Sequence, residues 1–377
     1  MKVEKNVYSI LIPDGEGSSL QNVLYCASHL KNIRLFVMST KRNHHLRFSR
    51  HIYRFLYFPQ KTHVADWIKD INHVVEEYGI DVIMPIWDKG IRKLIEHKSL
   101  LQSDKLIPLP SLDDYIVAAN KGLLAKHMEK VGISGPKTVR LSLDIIQKRE
   151  QLTLAFPILA KPLKSGNGRG IVKLENQDAL AKHFESIGLK EEYILQEFKR
   201  GVDYCCNVLC YEGEILAYTI QKGTLWDSKP FTAQVGMDFV HNDPLYQMMK
   251  KLMKSLHWSG VANIDLLFDP EAEVFYVLEI NPRFWNSLTA SLMAGVNFPQ
   301  LLIQLTIDKN IEPQGYKQFS YVNLHGLNQV YKRDKTLLFK TGFIWQNTPL
   351  RYKIDDPIPI VYKFLRGLKQ GIFGKSI

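Results

Sequence analysis

Cysteines are few, long apolar runs are missing and no repeat is visible, and each shortage removes a class of protein. The four cysteines among 377 residues, Cys26, Cys205, Cys206 and Cys210, form neither a C-x-x-C pair nor a disulfide-framework spacing. Three of them fall in one predicted strand, where geometry discourages pairing, so reduced thiols in a cytosolic protein are expected. No apolar run reaches the roughly 18 to 20 residues that a bilayer crossing needs. The opening "MKVEKNVYSILIPDGEG" has no small-residue cleavage site and runs at once into Asp14 and Glu16, so it reads as a first strand rather than a leader. None of the DNA- or RNA-binding motifs is present, and no nucleic-acid partner is expected.

What is present has the balance of a folded soluble chain, 45% hydrophobic and 23% charged residues, long enough for two or three domains. The net charge of +11 is unevenly placed. Residues 331–377 hold ten Lys/Arg against three Asp, and "KRNHHLRFSRHIYRF" (41–55) adds five Lys/Arg and three His. Such patches suit anionic lipid or phosphorylated substrates. In the tail "IPIVYKFLRGLKQGIFGKSI" (358–377), Val361, Phe364, Leu365, Leu368 and Ile372 share one helical face. Packing of that face on the body is the expectation, and contact with an anionic membrane is the alternative.

The first 110 or so residues alternate between strand and helix patterns: strands at 7–13, 33–39 and 80–86, helices at 18–30 and 64–79, with Ser18 or Ser19 available as a cap. A Rossmann-like parallel sheet domain over 1–110 follows from that rhythm. Its "DGEGSS" turn holds only half of a dinucleotide fingerprint, so no NAD site is expected. After the proline-containing stretch 106–115, the pattern changes. Helices are expected in 112–132, near 143–152 and at 244–257. Strands are expected at 156–163, 193–198, 203–211, 214–221, 261–269 and 274–281, with a hairpin turn at Glu212 and Gly213. The three strands from 193 to 221 read as one antiparallel group, and 222–243 reads as a long polar connection.

Three segments carry chemistry. In "VFYVLEINPRFW" (274–285), Glu279 and Asn281 lie two apart on a strand and share a face. Asp265, flanked by Ile264 and Leu266, can face them from the preceding strand. Two carboxylates and an amide oxygen form a hard, oxygen-only set that suits Mg²⁺, and a buried unpaired carboxylate calls for a cation. Arg283 adds a planar fork for phosphate or a developing oxyanion. The alternative is a surface hairpin with ordinary charges. In "ILAKPLKSGNGRG" (158–170), Lys161 precedes a glycine loop whose amides can cradle phosphate, although the order is not that of a Walker A loop and a plain hairpin turn remains open. In "YILQEFKRGVDY" (193–204), Gln196, Glu197, Phe198 and Asp203 could meet a nucleoside, a signal that is weak in isolation.

Taken in order, these pieces resemble the ATP-grasp superfamily of carboxylate–amine and carboxylate–thiol ligases, which includes D-alanine–D-alanine ligase, biotin carboxylase and carbamoyl phosphate synthase. The resemblance covers about residues 112–307, and "LEINPR" is its most specific motif. It implies an ATP-grasp domain over 111–310 with antiparallel sheets, divided into a small lobe (111–192) and a large lobe (193–310), with a basic extension over 311–377. It further implies that Asp265, Glu279 and Asn281 hold Mg²⁺, two ions with Glu279 bridging them and Mn²⁺ as a substitute. Lys121 and Lys161 would contact ATP phosphates, with Ser165, Gly166, Gly168 and Gly170 in a lid. Gln196, Glu197 and Phe198 would meet adenine, Asp203 the ribose, and Lys222 the γ-phosphate. Glu279 and Arg283 would be catalytic, Arg283 stabilising an acyl-phosphate and a tetrahedral intermediate.

The implied activity is ligation of a small carboxylate to an amine or thiol through an acyl-phosphate, releasing ADP and phosphate, by a cytoplasmic enzyme that is either free or membrane-peripheral and for which a homodimer is compatible. A phosphotransferase, or a nucleotide-binding regulatory protein without turnover, is the alternative. No biotinyl-lysine domain, glutamine amidotransferase triad or second copy of the domain is present. The segment 222–243, expected over the acceptor site, is the least family-like part. His44, His45 and His51 are not expected to bind metal, and Phe284 and Trp285 are expected to be core anchors.

Overall fold

The first strand's Ile10, Leu11 and Ile12 are completely buried, as a parallel strand covered on both faces requires. The structure, a computed structural model, describes residues 7–163, 168–189, 191–228, 230–308, 311–312 and 314–372. Its first domain comprises β1 (Tyr8–Ile12), α1 (Leu20–Ala27), β2 (Ile33–Ser39), β3 (Arg54–Tyr57), α2 (Val64–Tyr78), β4 (Val82–Ile83) and α3 (Asp88–Glu96). The four strands pair in parallel in the order β3-β2-β1-β4. The strand expected over 80–86 is only two residues long. The Asp14 carboxylate accepts the amides of Ile86 (3.0 Å) and Trp87 (2.9 Å), which are therefore not available to a longer ladder. Strand β3 lies inside the basic cluster, where charge hides its pattern. Ser19 does precede α1, but its hydroxyl donates to the Ile86 carbonyl instead of capping the helix.

Next come α4 (Leu112–Ala119), α5 (Lys121–Val131), β5 (Thr138–Arg140), α6 (Leu143–Ile146), β6 (Ile158–Pro162), β7 (Val172–Leu174), α7 (Gln177–Ile187) and β8 (Tyr193–Glu197). The strands form an antiparallel sheet in the order β5-β8-β6-β7. Helix α6 makes one turn where about ten residues were expected, because Lys148 takes a positive φ of 59°, a conformation that ends a right-handed helix. Strand β8, expected to open the larger lobe at 193, belongs instead to this small sheet. The chain crosses to the large sheet after Glu197.

The large sheet contains β9 (Val202–Tyr211), β10 (Glu214–Trp226), β11 (Gln234–Phe239), β12 (Gly260–Asp269) and β13 (Val274–Asn281), with α8 (Asp243–Ser255) before β12 and α9 (Leu288–Ala294) and α10 (Phe298–Asp308) after β13. Beyond lie β14 (Ser320–Val322), α11 (Leu324–Arg333), α12 (Thr341–Asn347), α13 (Leu350–Asp355) and α14 (Ile358–Ile372). The sheet order is β13-β12-β9-β10-β11-β14. The β9–β10 turn has positive φ at Glu212 (48°) and Gly213 (85°), as a tight hairpin demands. Part of the expected polar connection 222–243 is thus strand, the end of β10 and all of β11. The C-terminal extension also supplies the edge strand β14. One sheet face packs on α8, where Leu252, Met253 and Trp258 are buried with Cys206 and Ile264. The opposite face meets α9, α10 and the first domain in one core that includes Phe284, Trp285, Phe298 and Leu24, so both aromatics after the "LEINPR" motif are core anchors. All four cysteines are free.

Candidate active site

Strand register assembles the site. Across β10, β9, β12 and β13, Gln221, Cys205, Asp265 and Glu279 are successive partners, and the next rung is Thr219, Asn207, Asn263 and Asn281. Partners in register, and residues two apart, share a face, so eight polar or sulfur-bearing side chains occupy one patch. The pairing shifts between Asp265 and Leu266, so that Leu266 meets Val277 and Leu278 is extra. This bulge lets Val277 enter the α8-side core while Glu279, two residues on, faces the other way. Bulges of this kind re-aim side chains beside functional sites.

The predicted ligand set converges. The Asn281 amide donates to Asp265 Oδ2 (3.1 Å) and to Glu279 Oε1 (3.3 Å), so one point is common to all three residues. Turning the amide over would present its oxygen there and leave Arg283 held by Asp88 and the Phe284 carbonyl. Two carboxylates and a carboxamide oxygen then fit Mg²⁺, a hard cation that keeps waters and phosphate oxygens as its other ligands. Electrostatics agree. Burial, and then the charge of Glu279, hold Asp265 up at about 7. Burial also pushes Glu279 upward, but the ammonium groups of Lys121 and Lys161 outweigh it and keep that carboxyl below its usual range. Two acids this close need positive charge between them.

Cations surround the pair. Lys121 opens α5, whose first amides are capped by Asn120, and its ammonium lies 2.9 Å from Glu279 Oε2. Lys161 is buried at the end of β6 and donates to Gln196 Oε1 (2.5 Å), while Gln196 donates to Thr138 (2.9 Å). Burial pulls the Lys161 ammonium down to about 8, against the pull of Glu279. Arg283 reaches Asn281 Oδ1 (3.3 Å) and the Phe284 carbonyl (2.9 Å), and its Nε donates to Asp88 (3.0 Å) at the start of α3.

The remaining predicted residues are less uniform. Glu197 ends β8, in register with Ile158 and paired with Lys199 (2.8 Å), and Phe198 follows it with its ring under Lys173 (4.6 Å). Asp203 is one step from the patch, accepts from the Trp226 indole, and is held up by burial. Gly168 and Gly170 both have positive φ, and a Cβ on Gly168 would strike the Phe231 carbonyl at 1.8 Å. That part of the loop therefore rests on the connection between β10 and β11. Ser165 and Gly166 lie outside the described residues. Lys222 does not join the site. It is exposed, in register with Tyr204, on the sheet face opposite Asp265.

Sequence reasoning missed the supporting ladder. Asn207 and Thr219 are fully buried and Asn263 nearly so. Asn263 donates to Asn207 (2.9 Å), Asn207 to Thr219 (3.1 Å), and Asn281 to Asn263 (3.2 Å). The Cys205 thiol donates to Asp265 Oδ1 (2.9 Å). Asp88 was missed as well.

The chain is similar to known proteins in sequence and in fold. Residues 118–287 match the family described as the ATP-grasp domain. Over 216 residues the chain is 23% identical to the carbamoyl-phosphate synthase of Methanobrevibacter smithii, covering 54% of this chain and 58% of that one. Over 238 residues it is 24% identical to the D-aspartate ligase of Enterococcus faecium, covering 57% and 56%. The chain thus spans a little over half the length of these curated relatives. Among solved structures, N5-carboxyaminoimidazole synthetase from Staphylococcus aureus complexed with ADP superposes with a TM-score of 0.66 at 17% identity, covering 86% of each chain. L-amino acid ligase from Bacillus licheniformis superposes at 0.62 and 16% identity, over 82% of this chain and 76% of that one.

Proposed function

We propose that this chain, whose residues 118–287 match the ATP-grasp domain family, is an ATP- and Mg²⁺-dependent ligase that joins a small carboxylate to an amine, or to a thiol, through an acyl-phosphate. The observation that carries the reading is the convergence of Asp265, Glu279 and Asn281 on one point, with Lys121 and Arg283 bonded to the same cluster. The names of the similar proteins, a D-aspartate ligase and an L-amino acid ligase among them, support it.

Asp265, Glu279 and Asn281 would hold Mg²⁺, which supplies positive charge to the terminal phosphates. Lys161 and Lys121 bind phosphate oxygens. Gln196, Glu197 and Phe198 would meet the adenine and Asp203 the ribose, and the loop that ends at Gly168 and Gly170 would shield the reaction from water. A carboxylate oxygen of the substrate attacks the γ-phosphorus, the bond to the β-phosphate oxygen breaks, and ADP leaves with that electron pair. The acceptor then attacks the acyl carbon, and inorganic phosphate departs. Arg283, pinned by Asp88 and the Phe284 carbonyl, places a fixed guanidinium where negative charge gathers on the transferring group and the tetrahedral oxygen. No nucleophilic side chain is required.

The test is a panel of amino acids and small carboxylates with Mg-ATP and a phosphate-release readout. ADP formation that requires both an acid and an acceptor is the expected result. ADP with a stable phosphorylated product would establish a phosphotransferase instead, and nucleotide binding with no release across the panel would mark a regulatory protein.

A further inference from the structure

Helix α14, from the end of the basic tail, meets the basic segment 41–55 on one surface. Helix α14 lies against the short turn His45–Phe48, with the Tyr362 and Phe48 rings 4.7 Å apart. Arg366 donates to the Asn43 carbonyl (3.0 Å), 323 residues away in the chain. Just before the helix, buried Asp356 accepts from Ser49 Oγ (2.5 Å) and from the Arg50 amide (3.2 Å). The base of α14 is therefore fixed to the first domain. The positive field is evident in its neighbours. His45 is driven down to about 4, by burial first and then by His44, Lys363, Lys353 and Arg366.

The attached side of α14 is not its apolar side. Pro359 is buried, and Tyr362 and Arg366 make the contacts. At 3.6 residues per turn, Ile358, Val361 and Leu365 line a different stripe with Phe364 beside it. All four are exposed, Ile358 by 58% and Phe364 by 65%. The expected packing of this face on the body does not occur for these residues; the side chains of Leu368 and Ile372 lie outside the described residues. A contiguous apolar stripe on a fixed helix marks an interaction surface.

Charge selects the occupant. A second copy packed face to face would press two surfaces of the same sign together, since Lys353, Lys363 and Arg366 surround His45 in the segment 41–55, which itself holds five Lys/Arg. An anionic bilayer answers both features, with apolar side chains entering the acyl boundary and Lys363 and Arg366 meeting headgroups. We infer that α14 and the 41–55 segment form a docking face for anionic membrane, with α14 lying in the interfacial plane. This inference concerns location and stands independently of the ligase reading.

The experiment is co-sedimentation of the full chain with phosphatidylcholine vesicles, with or without phosphatidylserine. The full chain is expected to bind the anionic vesicles, to bind pure phosphatidylcholine weakly, and to be released by salt. The double variant F364D/L365D is expected to bind at least about a hundredfold more weakly, from the loss of two buried apolar side chains. An unchanged circular dichroism spectrum and melting profile exclude misfolding of the variant. K363E, a surface change that leaves the apolar stripe intact, is expected to weaken only the binding to anionic vesicles. Equal partitioning of wild type and F364D/L365D, or no vesicle binding by the wild type, would overturn the inference. So would dimerisation lost in F364D/L365D without vesicle binding, which would identify a second copy as the occupant.

Discussion

Replacing Glu279 with Gln separates a metal site from a structural ion pair, because the two readings predict opposite pairs of results. Ionised Asp265 sits at about 7 instead of 3.8, which corresponds to a penalty of about 4 kcal/mol on its charged form. Burial is the larger cause and the Glu279 charge the next. Glu279→Gln removes that repulsion and so relieves part of the penalty. It also removes the partner of Lys121 at 2.9 Å, a partly exposed pair worth on the order of 1 kcal/mol. The two changes oppose each other, so stability should move by no more than about 1 kcal/mol, a melting shift of roughly 2–3 °C. Turnover should respond differently. The cation loses an anionic ligand at the point where phosphoryl charge develops, a loss of the kind that costs about 3–4 kcal/mol, or roughly a hundred- to a thousandfold in kcat. The assay pairs steady-state phosphate release at saturating Mg-ATP with a thermal melt. A Glu279→Gln enzyme that melts early yet turns over within about threefold of wild type would refute the reasoning.

Other outcomes follow from single contacts. Asp88→Asn takes the charged acceptor from Arg283 Nε; kcat should fall about tenfold with KM for ATP little changed, and Asp88→Glu should restore part of the loss. The Lys161 ammonium, held at about 8 by burial, loses its proton as pH rises, so kcat/KM for ATP should fall about tenfold per pH unit above that value, while protonation of Asp265, held at about 7, lowers it on the acid side. A flat profile to about pH 9 would remove Lys161 from phosphate binding. Asp356→Ala leaves Ser49 Oγ and the Arg50 amide without their buried acceptor, which should cost about 2–3 kcal/mol in urea unfolding while sparing the activity of the folded fraction.

How far the sequence discloses this molecule depends on which periodicity carries the information. Strands β1 and β2 of the first domain and the β9–β10 hairpin are legible because these strands are rich in apolar residues and closed by turn residues. Asp265, Glu279 and Asn281 are legible because polar residues interrupt apolar strands at a spacing of two. The same spacing, in Thr219 and Gln221, Cys205 and Asn207, and Asn263 and Asp265, marks the whole ladder once strand register is known. Register joins residues far apart in the chain, and no local pattern states it. The boundary after β8 is hidden for the same reason, since strands 193–197 and 202–211 look like neighbours and belong to different sheets. Lys222 shows the converse error. One step from Gln221 in an alternating strand is a change of face, and a lysine next to a site residue in sequence points away from it in space.

The first domain belongs to the site in a way that its turn sequence disguises. "DGEGSS" resembles part of a nucleotide fingerprint, but its acids are turned to the backbone. Asp14 is nearly buried, is held at about 7 mainly by burial, and accepts from the Ile86 and Trp87 amides, while Glu16 accepts from Ser39 and Thr40 hydroxyls. Gly90 is needed beside it, since a Cβ there would lie 2.2 Å from Asp14 Oδ2. This packing sets the start of α3 and therefore Asp88. Asp88 in turn holds Arg283 Nε and the Phe284 carbonyl holds Nη1, which leaves Nη2 directed at the Asp265–Glu279–Asn281 cluster. A guanidinium on a turn just past a proline has many rotamers, and fixing one of them in advance lowers the reorganisation needed when charge develops. The turn that looks like a nucleotide loop thus supports Arg283 in the proposed phosphate site, through a backbone clamp and one ion pair.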